Sequence, residues 1–178
     1  ECLVHLYEDK GDDCLNDLDG MFALALWDAP RRRALLARDR LGVKPLYYHV
    51  NDRRLAFASE LKAILAVPEV RKSIDPAALL DYLTLGFIPA PRTIYRDIHK
   101  LPAGHALIYE HGRATVRAYW DLKHTGHIET SDDALAEAVW AQLRVATRKR
   151  LIADVPIGAF LSGGLDSAAV VSAMAQIT

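Results

Sequence analysis

Residues Phe160–Val171 read FLSGGLDSAAVV, and the order of parts in that stretch restricts the fold more than any other in the chain. The apolar run Ile157–Leu161 predicts a short buried strand, and the residues after the glycines predict a helix beginning near Asp166. Between them stand Ser162, Gly163, Gly164, Leu165, Asp166 and Ser167. Adjacent glycines let a backbone turn tightly and bring its N–H groups close to an anion. A helix start adds unpaired N–H donors and the positive end of the helix dipole. Ser162 and Ser167 add hydroxyl donors. Asp166 is the discriminating residue: a carboxylate repels phosphates unless a cation lies between, so it points to Mg²⁺ bridging the two. Ser162–Ser167 are therefore the candidate phosphate-binding residues, with Asp166 as the candidate metal ligand. The side chains of Phe160 and Leu161, just before them, are expected to fill a sheet core. The stretch has no lysine, so it is not the common phosphate loop that ends in Gly-Lys-Ser/Thr. The plainer alternative is a glycine turn that only joins strand to helix.

Upstream, the apolar pattern changes period. Residues 1–10 read as a helix ended by Gly11. Gly20–Asp28, Ala34–Asp39, Leu46–Val50 and Arg54–Ser59 then read as a meander of short antiparallel strands, with turns at Arg31–Arg33 and Asn51-Asp52. A short helix spans roughly Glu60–Ala66, with Glu60 and Lys62 as an ion pair at its start. Asp75 and Pro76 are a cap and a first helical position for a helix to about Leu85, ended by Gly86. Phe87–Thr93 holds two prolines and reads as a connector. Gly104–Leu122 is a hairpin turning at His111-Gly112, and Lys123–Thr130 is a polar linker. A long helix follows, capped by Thr130 or Ser131, with Leu135, Val139, Leu143 and Ala146 on one face and Arg148, Lys149 and Arg150 at its end.

The totals exclude several classes. Of 178 residues, 51% are hydrophobic and 25% charged, enough to bury a core in one domain or one and a half. The formal net charge of -1, with signs intermixed, gives no nucleic-acid footprint. No apolar run is long enough to span a bilayer. Cys2 and Cys14 make no disulfide framework and read as core residues of a cytoplasmic protein. The seven histidines lack paired metal spacing; His124 and His127 lie in the linker. Arg38, Asp39 and Arg40 read as a salt-bridged turn ordering the strands rather than as a substrate contact.

The Ser162–Ser167 loop resembles the pyrophosphate loop of the ATP pyrophosphatase superfamily, whose members split ATP between the α and β phosphates and adenylate an acceptor. That resemblance implies that Phe160–Ser167 are nucleotide-binding residues, with Phe160 and Leu161 lining an adenine pocket through their backbone groups. The loop does not choose among the members. Five ordered segments do: LDGMFALALWD (Leu18–Asp28), ARDRLGVKPLYY (Ala37–Tyr48), FASELKAIL (Phe57–Leu65), KLPAGH (Lys100–His105) and DVPIGAFLSGGLDS (Asp154–Ser167). Together they resemble the glutamine-dependent asparagine synthetase family along nearly the whole chain. The resemblance implies an α+β glutaminase domain of the N-terminal-nucleophile type, with antiparallel sheets between helix layers, whose later part and connector occupy residues 1–122. It implies that residues 123–178 are a linker and the start of an α/β parallel-sheet synthetase domain.

The implied activity is ATP-dependent amidation of L-aspartate, or of another carboxylate, through an acyl-adenylate and with ammonia from glutamine. ATP and Mg²⁺ are the implied cofactors, and a homodimer is left open. In such enzymes the glutaminase nucleophile is an amino-terminal cysteine whose own amine is the base. No residue here matches it, so this chain is expected to be an internal piece, inactive alone.

Overall fold

The computed structural model describes residues 2–51, 54–123, 126 and 129–177. The chain divides into two compact units, Glu1–Lys123 and His124–Thr178.

Among the described residues the first unit holds seven strands: β1 (Ala23–Asp28), β2 (Arg33–Arg38), β3 (Tyr47–Asn51), β4 (Arg54–Ala58), β5 (His99–Lys100), β6 (His105–Glu110) and β7 (Arg113–Ala118). Its helices are α1 (Cys2–Lys10), α2 (Cys14–Asp17), α3 (Leu61–Leu65) and α4 (Pro76–Leu85). The strands form two antiparallel sheets, ordered β1-β2-β6-β7 and β4-β3-β5. The expected meander is therefore corrected. β2 turns away from β3 and pairs with β6, placing Leu36 opposite Leu107.

Burial explains why. Successive side chains of a strand face opposite sides, and β2 buries both of its faces. Leu35 and Ala37 join Tyr7, Cys14 and Leu15 of the two N-terminal helices in one apolar cluster. Leu36 joins Leu46, Leu101 and Leu107 in a second, against Tyr48 and Leu55 of the other sheet. On that sheet Tyr48 turns inward, while its neighbour Tyr47 packs outward against Ile64, Val70 and Ile98 beside α3. The layers thus run helix, sheet, sheet, helix, the α+β arrangement expected of the N-terminal-nucleophile type. A run such as Arg33–Arg38 with a core on each side needs a central strand, and pairing with both β1 and β6 provides it.

Local signals read as expected in several places. Asp75 accepts a hydrogen bond from the Ala77 amide at 3.0 Å, Pro76 opens α4, and Gly86 ends it in a left-handed conformation. His111 and Gly112, both with positive φ, close a two-residue turn between Glu110 and Arg113. Lys62 and Glu60 pair at 2.7 Å at the start of α3. At Asn51-Asp52, residue 52 lies outside the described residues. Cys14 is buried as expected but Cys2 is exposed. The packed face of α1 is Leu3, Leu6 and Tyr7, and Cys2 lies off it.

The second unit holds α5 (Asp132–Lys149) and α6 (Leu165–Ile177). Ser131, not Thr130, caps α5 by accepting from the Ala134 amide at 3.3 Å. The Arg150 guanidinium donates to the Ala146 carbonyl at the other end. The stripe on α5 is covered only in part. Leu143 and Ala146 line a groove of about 330 Å³ with Ile157, Val170 and Met174 of the same unit, while Leu135 and Val139 stay exposed. The expected strand Ile157–Leu161 is not formed. A strand needs a hydrogen-bonded partner, and among the described residues none pairs with this segment. His124 and His127 lie outside the described residues.

Candidate nucleotide loop and the buried aspartate turn

The loop Ser162–Ser167 leads directly into α6, which starts one residue earlier than expected, at Leu165. Gly163 has φ +82°, a left-handed conformation that side chains rarely adopt. That turn sends the chain into the helix with its first N–H groups unused by the helix itself. The earliest helical bond in this segment is from the Ala168 amide to the Gly164 carbonyl at 3.1 Å. The Ser162 and Ser167 hydroxyl oxygens stand 3.0 Å apart, and Ser167 donates to the Gly164 carbonyl at 3.0 Å. With that proton committed, the Ser162 hydroxyl donates to Ser167. Both protons are satisfied within the loop, and an arriving anion would compete for them.

The structure therefore brings Ser162, Gly163, Gly164, Leu165 and Ser167 together around one helix start, in the open. Phosphate oxygens fit this donor set: amide N–H groups at a dipole's positive end and two hydroxyls, in a loop without lysine. Asp166 is exposed in the first turn of α6. Among the described residues no three His, Cys, Asp or Glu side chains converge on one point. A lone carboxylate fits Mg²⁺, which commonly takes one or two protein carboxylates plus phosphates and water. It would not hold an ion in an all-protein cage. Phe160 and Leu161 are corrected: their side chains are 99% and 64% exposed, so they fill no sheet core here.

A second constellation lies in the first unit, where Arg38 and Asp39 leave β2. Asp39 is 1% exposed. Its carboxylate accepts from four backbone amides, of Val43 and Lys44 at 2.9 Å and of Phe22 and Leu41 at 3.2 Å. Burial raises the pKa of this carboxyl, but the four N–H donors together outweigh it and leave the value lowered. Arg38 donates to three carbonyls, of Lys44 and Leu101 at 2.8 Å and of Gly42 at 2.6 Å. The reading of a salt-bridged turn is corrected in its bonding, though not in its effect. Among the described residues neither side chain forms an ion pair. Each charge is matched by backbone dipoles, and the turn is ordered by them. Tyr119 ties β7 to the same place by donating to the Arg38 carbonyl at 2.8 Å. Burial, with the Asp39 charge adding, pushes its hydroxyl up to about 12. Sequence reasoning missed the four-amide cradle, and its only trace is the Asp-x-x-Gly spacing of a tight turn.

Both constellations fall in segments with known counterparts. Residues 1–120 match the model of a glutamine amidotransferase domain, and residues 138–178 match that of asparagine synthase. The chain belongs to the glutamine-dependent asparagine synthetase family. Among similar proteins, asparagine synthetase [glutamine-hydrolyzing] 3 of Bacillus subtilis is 38% identical over 171 residues, covering 96% of this chain and 28% of that protein. The amidases chyE of Penicillium rubens and chry2 of Gibberella zeae are each 35% identical over 186 residues, covering 99% of this chain and 26% of theirs. The chain thus spans about a quarter of the length of these relatives. Within the family frame, the Asp39 turn belongs to the amidotransferase domain and Phe160–Ser167 to the asparagine synthase segment. No helix among the described residues is long and apolar enough to cross a membrane.

Proposed function

We propose that the protein carrying this chain amidates a carboxylate at the expense of ATP, using ammonia released from glutamine, with L-aspartate as the acceptor and asparagine, AMP and pyrophosphate as products. The observation that carries the reading is the Ser162–Ser167 loop, whose free amides and paired hydroxyls converge at the start of a 13-residue helix within the asparagine synthase segment. In it, the amides at Gly163–Asp166 and the hydroxyls of Ser162 and Ser167 bind the β- and γ-phosphates. Binding orients ATP so that the α-phosphorus faces the acceptor carboxylate. As the bond between the α-phosphorus and the bridging oxygen breaks, negative charge grows on the leaving pyrophosphate, and the same donors stabilise it without having to reorganise. Asp166 holds Mg²⁺, which supplies charge neutralisation at the phosphates. Residues 1–122 take the role of glutaminase domain and connector, and residues 123–178 that of linker and nucleotide end of the synthetase domain. Two free cysteines and no disulfide fit a cytoplasmic setting.

The test is pyrophosphate release from ATP by the full-length protein, with ammonia supplied and L-aspartate present or withheld. Release that depends on aspartate is expected. Asp166→Ala should abolish it and leave glutamine hydrolysis intact. Loss of both activities, or of neither, would remove Asp166 from the metal role. A second reading changes only the acceptor. Its support is the likeness, over 99% of the chain, to two fungal proteins named amidases rather than asparagine synthetases. Pyrophosphate release without aspartate, on addition of a different carboxylate, would select it.

A further inference from the structure

A polar cavity of about 400 Å³ opens in the first unit, at the end of β3. It is lined by His49, Val50 and Asn51 of β3, by Glu69 and Arg71, and by Asp97 and His99. That volume is within the range of ordinary small-molecule sites. The cavity shares no residue with Phe160–Ser167, and nothing derived so far uses it.

Its chemistry is specific. The His49 Nδ1 lies 2.7 Å from the Asp97 carbonyl oxygen. A carbonyl only accepts, so Nδ1 carries a proton, and in a singly protonated ring this leaves Nε2 as an acceptor. His49 is 7% exposed, and its Nε2 is buried with no hydrogen-bond partner among the described residues. Buried acceptors are seldom left so. Beside it, burial pulls His99 below its usual pKa, with Asp97 opposing and His49 adding. Of the two rings, His99 is thus held toward its uncharged form.

The charges on the wall come in both signs. Glu69 is held by Arg54 at 2.5 Å. Arg71 and the Asp97 carboxylate have no ion pair or side-chain hydrogen bond among the described residues. A simple anion entering here would meet Asp97, and a simple cation would meet Arg71. Among the described residues a metal ion finds no converging trio of ligands. A small molecule that carries both charges meets both needs.

We propose that this cavity binds a free α-amino acid, its carboxylate on Arg71, its ammonium on Asp97, and an N–H of the ligand on His49.

The experiment is calorimetric titration of the full-length protein with L-alanine, the smallest chiral zwitterion, and with acetate and methylammonium as single-charge probes. Saturable L-alanine binding is expected, with neither single-charge probe saturating in the same range. Arg71→Met and Asp97→Asn should each weaken it by about tenfold or more, while Arg113→Met, on the other sheet, should leave it unchanged. Both cavity residues are exposed, so their variants should keep the parent's thermal transition. As a second readout, the ¹⁵N resonance of His49 Nε2 should move on adding L-alanine to the parent and stay still in Arg71→Met. No saturable L-alanine binding, binding indifferent to Arg71→Met, or equally tight acetate binding would each overturn the proposal. None of these outcomes bears on pyrophosphate release, so the two readings fail separately.

Discussion

Asp39 shows how a single buried charge can organise a fold without an ion pair. Its carboxylate replaces water with four amide donors, and the chain from Phe22 to Lys44 is folded around it. Asparagine at this position would keep the shape but turn an N–H₂ group toward those amides. Unmet buried donors are costly, so Asp39→Asn should destabilise the first unit by on the order of 3 kcal/mol in chemical denaturation. The pH dependence has a definite sign. A carboxyl whose folded pKa lies below its ordinary 3.8 contributes stability that is complete above that value. The contribution is lost as pH falls through the lower folded value. Denaturation midpoints of the parent should therefore drop on acidification below pH 3.8, and the acid-induced loss should be smaller in Asp39→Asn. Equal loss in the two proteins would show that other carboxylates govern the acid limb. The sequence marked this residue as structural, but gave it the wrong partners. Neighbouring Arg38 and Arg40 suggested ion pairs, whereas adjacent residues leaving a strand point to different sides and find separate backbone partners.

At the level of elements, signals that act within a few residues were legible, and signals that act across the chain were not. The cap at Asp75, the stop at Gly86 and the turn at His111-Gly112 depend on neighbours only. The partner of β2 depends on which strand, near or distant, completes two cores, and no local pattern encodes that choice. β5 has two residues and exists only because Tyr47 and Tyr48 bond to Lys100 and His99. The same contrast yields a prediction at two glycines, both left-handed. At Gly86, with φ +76°, an added Cβ would meet nothing within 4 Å. At Gly104, with φ +66°, it would lie 2.5 Å from the Trp120 carbonyl oxygen. That carbonyl cannot simply move away: the backbone here is fixed by the Tyr119 and Trp120 amides, which both donate to the Gly104 carbonyl. Gly86→Ala should cost about 1 kcal/mol, the price of the backbone conformation alone. Gly104→Ala adds the collision and should cost about 3 kcal/mol or prevent folding. Similar denaturation midpoints for the two variants would mean that the β6–β7 hairpin yields without loss.

For the whole molecule, the two units differ in how much they bury, and this decides how each should behave. The first carries three apolar clusters and buries Leu15, Leu35, Leu36, Ile64, Ile98, Leu101 and Leu107 almost completely. The second buries only Thr147 and Ala173 among its described residues, and leaves Ile152, Phe160 and Leu165 more than four-fifths exposed. Two helices with so little core gain too little from burial to offset the entropy of ordering their chain. This is also why the loop Ser162–Ser167 could be read from sequence while the strand before it could not. The loop's shape follows from its glycines and the helix it opens, whereas a strand is a property of a sheet. Amide hydrogen exchange followed by mass spectrometry measures the difference directly. Peptides from β2 and β6 should be protected by the global stability of the first unit, and peptides from α5 and α6 should exchange orders of magnitude faster. ATP added with Mg²⁺ should slow exchange at Gly163–Ala168 before it slows α5, because the proposed contacts are made by those first amides. If α5 and α6 were as protected as β2 without any ligand, the exposed apolar residues of the second unit would have to be covered in solution. The nucleotide loop would then be a preformed cradle rather than one that ATP helps to order.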